Sequence, residues 1–285
     1  MEVREYPRTL WPAGLLEIPG PPEKLWIRGA MPDKDARRLA VVGSRALSRY
    51  GKEACEMLIA GLAGYPISII SGLALGADAC AHRAALAAGL HTIAVPGSGL
   101  DDSVIGPRAN LGLAHDILES GGALLSENEP LSAAHKGSFP SRNRIMVGLS
   151  HAVLMIEAGE NSGTLITARL ATEYNRDLLA IPHRIGDAHG HGPHRFIRLG
   201  AALVTEPAHV LEALGIAPRD SGNAAGFAPK LAGTELLVWD ALAEPLARDE
   251  IVRTVGGNPG ETMTALVALE LAGLVKEEFG AWRRT

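Results

Sequence analysis

Short apolar runs and helix-spaced apolar positions alternate along most of the chain. The β-type runs are LAVVGS from Leu39, ISIIS from Ile67, HTIAV from His91, ALLSE from Ala123, AVLMIEA from Ala152, DLLAIP from Asp177 and AALVT from Ala201. Between them, amphipathic spacing predicts helices over Tyr50–Gly64, Ala77–Ala88, Leu111–Ser120, Ser141–Leu149, Thr164–Tyr174 and Pro207–Leu214. Strands that are apolar throughout, each followed by a helix, predict an α/β fold: an extended Rossmann-like domain with a mostly parallel sheet covered on both faces. In such sheets ligands bind beyond the carboxyl ends of the strands.

The flanks read differently. Residues 1–36 are proline-rich and predict an irregular lead-in, with a short strand at Leu25–Arg28, packed on the main domain of residues 37–215. Residues 216–233 are rich in Ala, Gly and Pro without a period and read as a linker. Residues 234–285 show helical spacing at Thr234–Ala243, Arg248–Val255 and Glu261–Ala272, then LVKEEFGAWRR, a strand, turn and strand. Three helices and a hairpin suggest a small C-terminal winged-helix domain. Its basic tip, Trp282-Arg283-Arg284, suits duplex DNA backbone contact; a protein-contact or dimerisation module is the equal alternative.

Composition narrows the classes. The 285 residues are 47% hydrophobic and 21% charged, an ordinary globular balance. A net charge of −5 argues against wholesale coating of nucleic acid but leaves room for a local basic patch. The two cysteines, Cys55 and Cys80, lie in helix-like apolar stretches and read as reduced core residues. Neither a secretory leader nor a membrane-spanning run is visible, so the expectation is a soluble, cytoplasmic protein with no membrane partner.

Several runs carry candidate chemistry. Gly43-Ser44-Arg45 ends the first parallel strand, where Gly permits a sharp turn and Arg offers a planar fork to phosphate. The run Ser71–Asp78 has two glycines before a helix, permitting close ligand approach, but it is not a dinucleotide fingerprint, and no Walker motif occurs. His82 on the following helix reads as a packing residue. In His135–Arg144, four potential cations (His135, Lys136, Arg142, Arg144) and Phe139 surround a helix start expected at Pro140–Ser141. Cations there oppose the helix dipole, a conflict that a bound anion relieves. Phe139 suits base stacking, or else fills the core with Arg142 paired to an internal carboxylate. Ser162-Gly163-Thr164 opens another helix and suits a phosphate or an ordinary cap. His189, His191 and His194 lie in a glycine-rich stretch without a nearby Cys; no metal and no cofactor are expected.

These pieces, in this order, resemble the DNA-processing protein A (DprA/Smf) family. The resemblance rests on Gly43-Ser44-Arg45, SGLALGADACAH, LLSE, FPSRNRIMVGLS at 139–150, EAGENSGTLITARLA at 157–171 and IRLGAALV at 197–204. It implies a homodimeric single-stranded-DNA-binding protein, not an enzyme, that protects incoming DNA and loads the recombinase RecA onto it in natural transformation. By position, the resemblance places the DNA pocket on Gly43, Ser44, Arg45, Lys136, Phe139, Arg142 and Asn143, with Ser162, Gly163 and Thr164 at the same sheet edge. It places the dimer contact on His194, Ile197 and Leu203. The sequence departs from the family at Val104-Ile105-Gly106-Pro107 and at His194, and leaves no room for the N-terminal domain many relatives carry. The alternative is a nucleotide phosphoribohydrolase-like enzyme on the same fold; its two-glycine cradle is missing here.

Overall fold

The structure is a computed structural model that describes residues 1–135, 137–218, 231, 233–278 and 280–284. Lys136 and most of the stretch read as a linker therefore lie outside the described residues. The chain divides into two compact units, Met1–Pro218 and Arg219–Thr285.

In the first unit the elements run β1 (Arg4–Glu5), α1 (Ala13–Leu16), β2 (Trp26–Gly29), β3 (Arg37–Val42), α2 (Arg49–Ala60), β4 (Ile67–Ser71), α3 (Ala77–Ala87), β5 (His91–Ala94), α4 (Leu111–Glu119), β6 (Ala123–Ser126), α5 (Ser138–Leu149), β7 (Ala152–Met155), α6 (Thr164–Glu173), β8 (Asp177–Ala180), α7 (His191–Arg198), β9 (Ala202–Leu203) and α8 (Pro207–Ala213). They form one sheet in the order β1-β2-β6-β5-β4-β3-β7-β8-β9. All neighbours from β6 to β9 pair in parallel; β1 and β2 add an antiparallel edge. From β3 the chain winds one way through β4, β5 and β6 and the other way through β7, β8 and β9. The crevice between the carboxyl ends of β3 and β7 is thus the topological switch point.

The alternation of side chains along each strand places buried clusters on both faces of the sheet. Leu39 and Val41 of β3, Leu154 of β7 and Leu179 of β8 face Cys55, Leu58, Ile59, Ala81 and Leu211 from α2, α3 and α8. Ala40 and Val42, with Val153, Met155 and Ala180, face Leu15, Ile145, Leu149, Leu165 and Ala168 from α1, α5 and α6. Cys55 and Cys80 are free and buried.

Two helices differ from the sequence expectation. α5 begins at Ser138, three residues before the expected start. Pro140 is accommodated in the first turn, where an N–H has no helical partner anyway. The Ser138 hydroxyl accepts from His135 N and donates to His135 O, closing the turn. Of the histidine-rich stretch, His191 and His194 lie on the helix α7, which local composition hid. Gly192 packs so closely that a Cβ there would stand 2.5 Å from the Ala158 Cβ, and Pro193 and Phe196 are buried.

The second unit contains α9 (Thr234–Ala241), β10 (Leu246–Ala247), α10 (Arg248–Val255), α11 (Pro259–Leu271), β11 (Val275–Glu278) and β12 (Ala281–Arg284), with a three-stranded sheet β10-β12-β11. Its core joins Val238, Leu242, Ile251, Leu266, Leu269, Val275 and Trp282. Of the basic tip read from the sequence, Trp282 is buried in that core and the Arg284 guanidinium lies 4.5 Å from the Trp239 ring centroid and donates to Trp239 O, while Arg283 is exposed.

Candidate nucleic-acid interface

A cavity of about 600 Å³ opens at the switch point. The loop after β3 (Gly43, Ser44, Arg45), the start of α3, the first turns of α5 (Phe139, Arg142, Asn143) and the loop into α6 (Ser162, Gly163, Thr164) line it. Every described residue expected to form the pocket is therefore on one wall or another of a single cavity.

The loops are locked together before any ligand arrives. Gly76 has φ +75, and a Cβ there would stand 2.3 Å from Ser44 O, so only glycine lets α3 start against the Gly-Ser-Arg turn. Ala77 N then donates to Ser44 O at 3.0 Å. Below the cavity, the fully buried Glu157 carboxylate accepts from Ser48 N at 3.1 Å and from the Ser48 hydroxyl, and pairs with His189 Nδ1 at 3.1 Å. One carboxylate thus ties the loops after β3, β7 and β8. Sequence reading gave Glu157 no role of its own, because its two partner residues are remote in the chain; an acidic residue at an otherwise apolar strand end was the available signal.

Arg45 is exposed, with its guanidinium carbon 5.0 Å from the centroid of the half-buried Phe139 ring. Phe139 packs against Gly97 on another side, where a Cβ would come within 3.1 Å of the ring. Arg142 behaves differently. Its side chain is 8% exposed, donating to Val95 O at 2.6 Å and pairing with Asp78 at 3.3 Å. Burial lowers its pKa, and Asp78 opposes that shift. A Cβ on Gly72 would stand 1.4 Å from Arg142 Nη1, so the bare glycine backbone makes room for the guanidinium. Arg142 is thus the internally paired residue that the sequence left as an alternative, and its Nε is buried without a hydrogen-bond partner among the described residues. Arg144 pairs with Glu127, which also accepts from the Ser141 hydroxyl at 2.6 Å. Two internal carboxylates therefore relieve the dipole conflict at the start of α5 that a bound anion was expected to relieve.

At the start of α6 the loop supplies acceptors of its own: Ser162 N donates to Gly159 O at 3.1 Å and Thr164 N to the Ser162 hydroxyl at 3.2 Å. The Thr164 hydroxyl donates to Gly43 O at 3.1 Å, joining the two phosphate-type loops. Gly163 N remains without an acceptor among the described residues.

The residues expected at a dimer contact lie away from this cavity. His194 is half-buried, with Nε2 at 2.9 Å from His183 O. Ile197 packs against the core, and Leu203, on the two-residue edge strand β9, is 48% exposed. His189 pairs with Glu157, whereas His191 is exposed, so the three histidines do not act as one set.

Residues 3–215 match the family described as DNA recombination-mediator protein A, and residues 224–280 match the DprA winged helix domain. The chain belongs to the DprA/Smf family. It is 39% identical to Protein Smf of Escherichia coli over 96% of this chain and 75% of that one. With the DNA processing protein DprA of Streptococcus pneumoniae it shares 43% identity over 70% of each chain. The X-ray structure of the Streptococcus pneumoniae protein superposes with a TM-score of 0.69, covering 74% of both chains at 39% identity. A Helicobacter pylori DNA processing protein A, whose structure was described for its single-stranded DNA binding mode, superposes with a TM-score of 0.66 at 29% identity, over 75% of this chain and 95% of that one. Among the described residues no helix is long and apolar enough to cross a membrane.

Proposed function

We propose that this DprA/Smf chain binds single-stranded DNA in the switch-point cavity and acts by binding rather than by bond cleavage. The observation that carries the reading is the Arg45–Phe139 pair on the cavity wall: a guanidinium without a carboxylate partner among the described residues, beside an aromatic ring that lines the cavity. Asp78 is the one carboxylate on the described walls, and Arg142 neutralises it, which favours an anionic ligand and supplies no free acid for glycosidic cleavage. In the bound state Arg45 leaves the ring for a phosphate, and an unpaired base takes the ring face. Gly43, Ser44, Asn143 and the Gly163 N–H border the backbone, and Lys136 adds a second cation. Duplex DNA is excluded because a paired base cannot turn onto the ring.

The family resemblance extends the proposal. The chain works as a cytoplasmic homodimer through α7 and β9, with contacts at His194, Ile197 and Leu203, protects incoming single strands and loads RecA onto them during natural transformation or recombination. The domain division follows the sequence reading, with the Rossmann-like part at 37–215 carrying the DNA site.

Competition between labelled single-stranded and duplex oligonucleotides tests the reading. Single strands are expected to bind far better, and Phe139→Ala to weaken them by about 1–3 kcal/mol. Equal affinity for both forms, or release of free base from nucleoside monophosphates, contradicts it.

A further inference from the structure

We propose that a smaller cavity beside the first takes a second base of the same strand, and that this base is an unpaired pyrimidine. The proposal rests on the single-strand reading and adds a base subsite to it. The side cavity, of about 220 Å³, has Arg45, Ala74, Phe139 and Arg142 in common with the switch-point cavity. Its other walls come from the loops after β4, β5 and β6: Gly72 and Leu75, then Gly97, Gly106 and Pro107, then Ala134. Gly106 and Pro107 belong to the segment in which the sequence departs from the family.

Size and lining select the ligand. Sites for drug-sized molecules measure about 300–1,000 Å³. A cavity of about 220 Å³ suits one planar ring and not a whole nucleotide. Leu75, Pro107, Ala134 and the Phe139 ring make its surface apolar, and a phosphate there would lose its hydration. Arg142 offers no free charge in return, being paired with Asp78. Leu75 is 48% exposed, apolar surface that a base would cover. A base also needs partners for its polar edge. The backbone N–H groups of Gly97 and Gly106, both wall residues, have no acceptor among the described residues. Two such donors suit a ring that carries carbonyl oxygens, as thymine does and adenine does not. No carboxylate stands on the described walls to repel the strand. The space exists because position 106 is glycine: a Cβ there would meet nothing within 4 Å, and its φ is not positive, so a side chain fits as well as a ligand. With Phe139 on the walls of both cavities, one strand can stack a base on the ring and turn its neighbour into the side cavity.

Oligothymidylate binding by the full chain tests this, by anisotropy over a salt series, with wild type, Gly106→Ala, Gly106→Phe and Leu75→Ala. Gly106→Ala adds one methyl in open space and is expected to bind like wild type. Gly106→Phe puts a ring where the base would lie and should weaken binding about tenfold, within the range of one base–aromatic stack. Leu75→Ala, at a half-exposed position where truncation spares the fold, should weaken it in the same direction. The slope of log affinity against log salt should stay unchanged in all three, because no phosphate contact is lost. An abasic strand of equal length should bind all four proteins alike. Oligothymidylate affinity in Gly106→Phe equal to or above that of wild type overturns the proposal. Unchanged affinity in Leu75→Ala overturns it whether or not Gly106→Phe folds. So does a loss that is equal on the abasic strand, or one that lowers the salt slope, since either marks a backbone contact. Failure of wild type to bind oligothymidylate removes the single-strand reading itself.

Discussion

Arg142 is one of only a few charged side chains buried in the first unit, and its surroundings define what it does. With its guanidinium held by Val95 O and Asp78 over the bare backbone of Gly72, it braces the floor of the cavity. Arg142→Ala leaves Asp78 buried and unpaired, and is expected to lower unfolding free energy by about 3–5 kcal/mol; denaturant titration measures it. Arg45→Ala, by contrast, removes an exposed side chain and should leave stability within about 0.5 kcal/mol of wild type while weakening DNA binding. His82 gives the pH dependence. It is fully buried beside Arg142, its Nδ1 bonded to Thr92 Oγ1, and burial first, then Arg142, lowers its pKa from 6.5 to about 3. Below pH 6.5 the unfolded chain takes up a proton that the native state refuses until about pH 3. Stability is therefore lost as the pH is lowered through that window, at up to about 1.4 kcal/mol per pH unit from this group. Stability that is flat between pH 7 and pH 4 contradicts this environment for His82.

Element by element, the parallel strands and the helices between them were legible because each buried strand is a continuous apolar run and each covering helix has one apolar stripe. What composition hid is equally physical. α7 contains a glycine and a proline in its first turn, with another glycine before it, because it packs tightly on the loop after β7, and those residues look like a loop when neighbours are unknown. The pocket residues were legible as a set, but their division of labour was not: the carboxylates that claim Arg142 and Arg144 come from other elements. In the second unit, α11 carries Glu261 and Glu270 and no Lys or Arg, while Val267 and Leu271 are exposed. Without a cation of its own, this helix is poorly suited to phosphates. Deleting residues 219–285 is accordingly expected to leave duplex affinity unchanged, by anisotropy. On the edge strand β9, Leu203→Arg should halve the mass in solution measured by light scattering; an unchanged mass contradicts the proposed dimer contact.

At the scale of the whole chain, a protein of net charge −5 is proposed to hold a polyanion, so the binding must come from a few placed cations and not from an overall field. The fold supplies the placement. Opposite winding about β3 opens the crevice, Gly76 and Glu157 fix the loops around it, and Arg45 with Phe139 remain available at its mouth. The measurement that tests this most directly is the salt dependence of oligothymidylate binding by wild type, Arg45→Ala and Lys136→Ala. Each substitution is predicted to weaken binding and to reduce the slope of log affinity against log salt by about 0.7, one phosphate contact apiece. Unchanged affinity and slope in both variants would contradict the phosphate clamp and with it the assignment of the cavity to DNA.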